Sequence, residues 1–195
     1  MIATPKYLRF QSESLEQRYL EQINAALVHR LIVEARSEQA REALAHAVGI
    51  DDDTLLAELA ELGFVKQTLI TLRLMPLVLV AWADNEVDAK ERDVILEAAR
   101  RLGIRKDTDA FVILNHWLKH KPPAQMTDAW KRYICGLLKG FGVAPRRRLI
   151  ENVHSQMLAV ANASGGLLGV GRVSSKERTT IALLDELLKS CAAVA

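Results

Sequence analysis

The chain has 195 residues and a net charge of +2, and half of its residues are apolar, which is enough for a sizeable buried core. Its most apolar stretch, residues 74–83, is about half as long as the ~20 residues that cross a bilayer. Residues 1–11 lack the apolar segment of a secretory signal. We therefore predict a cytoplasmic protein without a transmembrane segment.

The composition favours helices over strands. Gly and Pro are scarce, with 10 and 5 residues, whereas Ala, Leu, Glu and Arg are common. Aromatic residues make up only 5% of the chain, so aliphatic side chains must fill the core. No segment alternates between apolar and polar residues as a half-buried strand would. We predict an all-α fold, a multi-helix bundle of about eight or nine helices.

Capping boxes, glycines and a proline divide the first half of the chain. A capping box pairs a polar residue at a helix start with a Glu or Gln three residues later, and together they satisfy exposed amide groups. Gly49 and Gly63 are placed to end helices, and Pro76 to kink or restart a buried segment. The predicted helices are 14–34 opened by Ser14 with Gln17, 38–47 opened by Ser37, 54–62 opened by the acidic run 51–53, the segment 66–82, and 89–102 opened by Asp88 with Glu91.

In the second half, Pro122 and Pro123 mark the clearest break. The last connection carries four glycines within residues 165–171, which suit a tight turn. A phosphate-binding loop is disfavoured there because no strand precedes it. The predicted helices are 108–119 opened by Asp107 or Thr108, 127–139 opened by Thr127 or Asp128, 145–161 with Pro145 in its first turn, and a last helix opened by Ser174 with Glu177.

The two cysteines, Cys135 and Cys191, lie far apart in sequence and form no metal-binding or redox spacing. Both fall within apolar helical patterns. In a cytoplasmic protein, buried reduced thiols are favoured over a disulfide. We therefore expect two free thiols.

Charge is unevenly distributed along the chain. Residues 100–148 contain twelve Lys or Arg and three Asp or Glu, and the remaining residues carry an excess of acids. This asymmetry predicts either a basic surface for an anionic partner or basic and acidic faces of neighbouring helices that neutralise each other. Arg146, Arg147 and Arg148 are the candidate residues for binding nucleic acid or a membrane surface.

One motif appears twice, each time between two predicted helices. The first copy is Ala83-Asp84-Asn85-Glu86-Val87-Asp88 followed by Lys90-Glu91-Arg92, and the second is Ala161-Asn162-Ala163-Ser164 followed, after the glycines, by Val173-Ser174-Ser175-Lys176-Glu177-Arg178. The copies are offset by about 80 residues before the turn and about 86 after it. We infer two pseudo-repeated helical halves.

The first copy places four carboxylates within eight residues: Asp84, Glu86, Asp88 and Glu91. Carboxylate oxygens clustered on a turn can bind Ca²⁺ or Mg²⁺, although the spacing is not that of an EF-hand. The alternative is that Asp88 and Glu91 cap the next helix and that the rest of the turn is solvated.

The second copy carries fewer acids. Ser164 and Ser174 stand where Asp84 and Asp88 stood, and Glu177 alone keeps its carboxylate. If a cation needed ligands from both halves, the second half would supply Glu177, which is a weaker counterpart of the four acids in the first copy.

Other constellations lack required members. His116 and His120 have a spacing that zinc uses, but no third ligand is apparent. Glu151 and His154 form half of a di-iron motif without its second copy. No catalytic signature is present, so we expect a protein that is not an enzyme.

At residues 83–91 the chain resembles the tellurite-resistance TerB-like family, whose hallmark is Ala-Asp-Gly-x-Val-x-x-x-Glu between two helices, once per half. Asn85 replaces the usual glycine, and Asn also tolerates left-handed backbone. The second motif, residues 163–177, is similar but divergent and carries the glycine insertion. The resemblance spans about residues 66–190.

The resemblance implies an all-helical fold, a bacterial stress-response context and no enzymatic activity. It also implies that the acidic turns bind a divalent cation, Ca²⁺ or Mg²⁺, through the candidate ligands Asp84, Glu86, Asp88, Glu91 and Glu177. Residues 63–195 would form the TerB-like helical domain, and residues 1–62 an N-terminal helical extension packed on it.

The sequence thus leads to a non-enzymatic helical interaction module whose partner is another protein, with a homodimer as an open alternative. The competing interpretation is an anion-binding module that uses the basic region 100–148.

Overall fold

The computed structural model describes residues 6–163 and 173–193 of the chain. This part contains nine α-helices and no β-strand, which confirms the predicted all-α bundle. In chain order the helices are α1 Lys6–Ala35, α2 Glu38–Val48, α3 Asp53–Glu61, α4 Met75–Ala81, α5 Ala89–Arg101, α6 Asp109–Trp117, α7 Ala124–Lys139, α8 Val143–Ala163 and α9 Ser175–Ala193. Two 3-10 helices, Leu69–Leu74 and Trp82–Asp84, flank α4. Ser164 and the glycines at 165–171 lie outside the described residues.

Most predicted helix starts coincide with observed caps. The side chains that accept a hydrogen bond from the first turn include those of Ser37, Asp52, Asp88, Thr108 and Ser174. Gly49, Gly63 and Gly103 follow helix ends with φ of 62°, 82° and 82°, a left-handed conformation that glycine adopts without steric cost. Local side-chain chemistry therefore sets most of the boundaries.

Two predicted capping positions are wrong. Ser14 lies inside α1, which begins at Lys6, and an N-cap requires non-helical backbone. Helix α7 begins at Ala124, so Thr127 and Asp128 lie within it. Pro123, with φ −66° and ψ 158°, already provides the extended backbone from which that helix starts.

The buried segment 66–82 is not one helix. The Thr68 hydroxyl accepts a hydrogen bond from the Val65 amide (3.0 Å), which makes a local turn in place of a helix start. A 3-10 helix follows, and α4 begins at Met75 with Pro76 in its first turn. Because proline has no amide proton, it fits the first turn of a helix. Pro76 therefore restarts the helix, which is one of the two alternatives, a kink or a restart, that the sequence predicts.

Helix α4 lies at the centre of the molecule and packs against α5, α8 and α9. Its residues Leu77 and Val80 are fully buried, and so are Met157 and Val160, which lie 80 residues later on α8. Ile95 on α5 and Ile181 on α9, 86 residues apart, are also buried. The core therefore follows the repeat that the motif offsets indicate.

The first three helices share this core. Helix α1 packs against α3 and α6, and α3 packs against α7. Leu31, Leu44 and Leu59 belong to the same cluster of buried side chains as α4. A division into an extension 1–62 and a domain 63–195 stays a prediction. None of the helices within residues 6–163 and 173–193 combines the length and apolar composition that crossing a bilayer requires.

The expectation of two free thiols is wrong: Cys135 and Cys191 form a disulfide. Their Cα atoms lie 4.9 Å apart because α7 and α9 pack side by side. The separation of 56 residues gives no sign of this contact, since it depends on how two distant helices pack.

Candidate functional site

The two copies of the motif build the same hydrogen-bonded structure at the starts of α5 and α9. The Asp88 amide donates to Glu91 Oε2 (2.9 Å), and the Glu91 amide donates to Asp88 Oδ1 (2.8 Å). At α9, the Ser174 amide donates to Glu177 Oε2 (2.6 Å), and the Glu177 amide donates to Ser174 Oγ (3.1 Å). Both predicted capping boxes are thus present.

The glutamates of the two capping boxes meet in the interior. Glu91 is 5% exposed and Glu177 is 4% exposed, and their side chains lie within hydrogen-bonding reach of each other. Glu177 Oε1 is buried, and within the described residues no donor reaches it. Buried carboxylate oxygens are normally paired, so this atom requires either a proton shared with Glu91 or a further species.

Burial alters the acidity of Glu91. The pKa of Glu91 rises from 4.5 to about 7, chiefly because burial disfavours the charged carboxylate. The hydrogen bond from the Asp88 amide opposes the rise, whereas the negative charges of Asp88 and Glu177 add to it. Near neutral pH, both the neutral acid and the carboxylate form of Glu91 are therefore populated.

The other predicted acidic ligands lie elsewhere. Asp84 and Glu86 are exposed, and Asp84 Oδ1 lies 3.7 Å from Lys176 Nζ. Asp88 is occupied by its helix cap. In residues 6–163 and 173–193, no three His, Cys, Asp or Glu side chains are grouped closely enough to hold a metal ion. Of the five predicted ligands, the structure brings Glu91 and Glu177 into contact.

The first turn is fixed to the rest of the protein on its other side. Asn85 has φ 67°, a left-handed conformation that Asn tolerates better than most residues. Its Oδ1 accepts from Lys121 Nζ (3.1 Å), and Trp82 Nε1 donates to the Trp117 carbonyl (2.7 Å). These bonds anchor the turn to the end of α6 and the segment that follows, which helps to hold the start of α5 beside that of α9.

The three predicted anion-binding arginines do not act alike. The Arg146 guanidinium donates to the carbonyl oxygens of Leu138, Phe141 and Ala192, at 3.0, 2.8 and 2.7 Å. It therefore caps the ends of α7 and α9 instead of facing an external anion. Arg147 Nε lies 3.7 Å from Glu151 Oε1.

Many other basic side chains of region 100–148 are paired with carboxylates. These ion pairs are Arg100 and Arg101 with Glu97, Arg105 with Asp107, Lys119 with Glu21, Lys131 with Asp128, and Arg132 with Glu58. This arrangement favours neutralisation by neighbouring side chains, which the charge distribution left as an alternative.

The histidines occupy two further places. His116 and His120 stack with ring centroids 4.6 Å apart, and no third metal ligand joins them in the described part of the chain. His154 Nδ1 lies 2.7 Å from Asp185 Oδ2, a contact between α8 and α9 that sequence spacing does not reveal. Glu151 pairs with Arg147 and is not part of that contact.

The chain matches no protein-family model, and neither a curated protein nor a solved structure shows significant similarity to it. The resemblance to the TerB-like family therefore rests on the repeated motif alone and stays a prediction.

Proposed function

We propose that this protein is a non-enzymatic, TerB-like helical interaction module that binds a divalent cation between its two halves, in a bacterial stress-response context. The observation that carries the proposal is the contact between Glu91 and Glu177. These two buried carboxyl groups come from equivalent positions of the repeat, and Glu177 Oε1 has no donor within the described residues. Two species that satisfy such an oxygen are a shared proton and a cation.

The donor set favours a hard, hydrated cation. Carboxylate oxygens suit Ca²⁺ and Mg²⁺, but Ca²⁺ takes about six to eight oxygen ligands. Mg²⁺ keeps several of its waters and is held by one or two carboxylates. Since Glu91 and Glu177 supply two, the pair fits Mg²⁺ better than Ca²⁺. A bound cation would neutralise both carboxylates and tie the start of α5 to the start of α9.

The proposed partner is another protein that recognises the surface around this joint. Asp84, Glu86 and Lys176 are exposed beside the two helix starts, so a change in the relative position of α5 and α9 would alter the surface that they form. This supports a module that reports cation occupancy to a partner, and it requires no chemical step.

Thermal unfolding of chelator-treated protein, titrated separately with Mg²⁺, Ca²⁺ and Zn²⁺, tests the proposal. A ligand that binds only the folded state raises the unfolding midpoint as its concentration exceeds Kd. We expect Mg²⁺ to raise the midpoint, and Glu177→Gln to abolish the rise. A midpoint that does not respond to any of the three metals would overturn cation binding.

Glu186→Gln is the matched control, because Glu186 is exposed on the same helix. It should leave the Mg²⁺ response unchanged. If Asp84→Asn removes the response while Glu177→Gln preserves it, the cation belongs on the exposed acidic turn and the joint is the wrong place.

A further inference from the structure

A second site, which shares no residue with the carboxyl pair, lies between α1 and the rest of the bundle. It is an apolar pocket of about 210 Å³. Val28 and Leu31 of α1 form one wall, and residues of α6 and of the segments around 61–64 and 120–126 form the others. Phe64 and Trp117 line its interior with ring centroids 6.0 Å apart. Ligand pockets commonly occur at such junctions between structural units.

The size of the pocket limits its occupant. An apolar cavity of about 150 Å³ in another, engineered protein stays dry and binds benzene. A pocket of about 210 Å³ therefore holds a short alkyl chain or one aromatic ring, roughly six to ten carbon atoms. Leu31, Phe64 and Trp117 are 1%, 1% and 3% exposed, so these side chains are already fixed by packing.

The mouth of the pocket is polar and mainly basic. Of the lining residues, His120, Lys121 and Glu61 are exposed and His116 is partly buried, so these polar side chains form the open side of the pocket. The pKa of His116 is lowered by burial and by His120, so a neutral imidazole that donates one N–H is favoured at neutral pH.

Beyond the two histidines the lining continues into a shallower pocket of about 400 Å³. Arg18, Lys119 and Glu21 line this part together with the same two imidazole rings. Across both pockets, three cationic side chains face two carboxylates, Glu21 and Glu61. The polar end thus favours a single negative charge, while the inner end is apolar.

We propose that this pocket binds a small amphipathic carboxylate, with its apolar body against Val28, Phe64 and Trp117 and its carboxylate at His116, His120 and Lys121. The two oxygens of a carboxylate match an imidazole N–H and an ammonium group. The side chains of Val28, Leu31 and Phe64 offer no donor or acceptor to a polar body, which disfavours sugars and nucleotides.

Titration with octanoate tests the proposal, with heat of binding and unfolding midpoint as readouts. Octan-1-ol and octylammonium are the matched probes that remove or reverse the charge. We expect saturable one-to-one binding of octanoate, and binding of both other probes weaker by at least about tenfold. If octanoate does not bind up to millimolar concentrations, or if octan-1-ol binds equally well, the proposal is overturned.

Two variants locate the ligand. Val28→Trp fills the pocket from α1 and should weaken octanoate binding by at least about tenfold, whereas Val33→Trp, at a position 56% exposed on the same helix, should not. Lys121→Gln should weaken octanoate but not octan-1-ol, and Lys106→Gln should change neither. Unchanged octanoate binding in Val28→Trp and Lys121→Gln would place the ligand elsewhere and overturn the proposal.

Discussion

The starts of α5 and α9 have the same architecture but differ in charge. Each has a capping glutamate, Glu91 or Glu177, that turns inward to meet its counterpart, and each follows a partly buried valine that packs on the core. The N-cap is Asp88 in the first half and Ser174 in the second. A repeat has thus kept its geometry while one of its two caps carries a negative charge and the other does not.

This difference shows how two buried carboxyl groups can be tolerated face to face. Two carboxylates in contact repel each other, and an aspartate at both caps would add a further negative charge. Because Ser174 is uncharged, Asp88 is the one charged N-cap of the two. Its negative charge helps to raise the pKa of Glu91. The charge of Asp88 therefore favours the protonated form of Glu91, so the two glutamates need not both be charged.

Among the substitutions at the two helix starts, removal of Glu91 or Glu177 should lower the free energy of unfolding the most. Glu91→Ala and Glu177→Ala each remove the acceptor for an N-cap amide and one member of the buried pair. We expect each to lower the free energy of unfolding by about 2 kcal/mol at pH 6 without metal. Because the residues touch, the double variant should lose less than the sum, by at least about 0.5 kcal/mol. Urea unfolding measures both quantities.

The control is Glu151→Ala, which removes an exposed glutamate and should change stability by less than about 0.5 kcal/mol. If the changes in the free energy of unfolding for Glu91→Ala and Glu177→Ala are strictly additive, the two helix starts are independent. The two glutamates would then not be coupled to each other.

The stability of the metal-free protein should depend on pH. The pKa of Glu91 is about 7 in the folded state and 4.5 in the reference state. Its neutral form therefore contributes stability that is complete below pH 4.5 and is lost as the pH rises through 7. We expect the free energy of unfolding to fall by about 2 kcal/mol between pH 5 and pH 8 from this group.

Glu91→Gln sharpens the same test, because an amide keeps the shape of the neutral acid and cannot ionise. This variant should flatten the fall with pH and be more stable than the natural protein at pH 8. A fall of equal size in Glu91→Gln would assign the pH dependence to other groups.

The two N-caps, Asp88 and Ser174, should contribute similarly to the free energy of unfolding but should differ in their effect on the pKa of Glu91. Asp88→Ala and Ser174→Ala should each lower the free energy of unfolding by about 1 kcal/mol. Asp88→Ala should also lower the pKa of Glu91, since the Asp88 charge helps to raise it. Ser174→Ala should leave that pKa close to its original value. Equal effects on the pKa would contradict the asymmetry of the two halves.

The exposed contact between the halves should have the smallest effect. Lys176 Nζ lies 3.7 Å from Asp84 Oδ1, and both side chains are largely accessible. Lys176→Ala should change the free energy of unfolding by less than about 0.5 kcal/mol, and added salt should reduce even this. A loss above about 1 kcal/mol would mean that the surface pair contributes more to joining the halves than an exposed ion pair can.

Much of the fold follows from local signals in the sequence. Ser37, Thr108 and the two capping boxes locate helix starts because a side chain there satisfies amides of its own first turn. Helix α7 begins directly after the extended backbone of Pro123 and has no capping side chain. A rule that looks for a polar capping residue therefore places its start too late, at Thr127 or Asp128. Ser14 has the capping pattern but lies inside a longer helix, which shows that the pattern alone does not start one.

Contacts between distant helices are harder to predict. The sequence marks Glu91 and Glu177 as equivalent, but not as touching, since the contact depends on how α5 and α9 lie against the helices around them. The equivalence was nevertheless a signal, because it distinguishes these two glutamates from the other acids of the first turn. For Cys135 and Cys191, and for the carbonyl contacts of Arg146, no repeat or spacing provides such a signal.

The measurement that tests the central claim most directly is the pKa of Glu91 in the metal-free protein, followed by the ¹³C chemical shift of its side-chain carboxyl carbon and assigned with Glu91→Gln. A midpoint of about 7 is expected if Glu91 is buried against Glu177. A midpoint near 4.5, the ordinary value, would mean that Glu91 is not buried at the joint between the halves, and the cation site built on that joint would be contradicted.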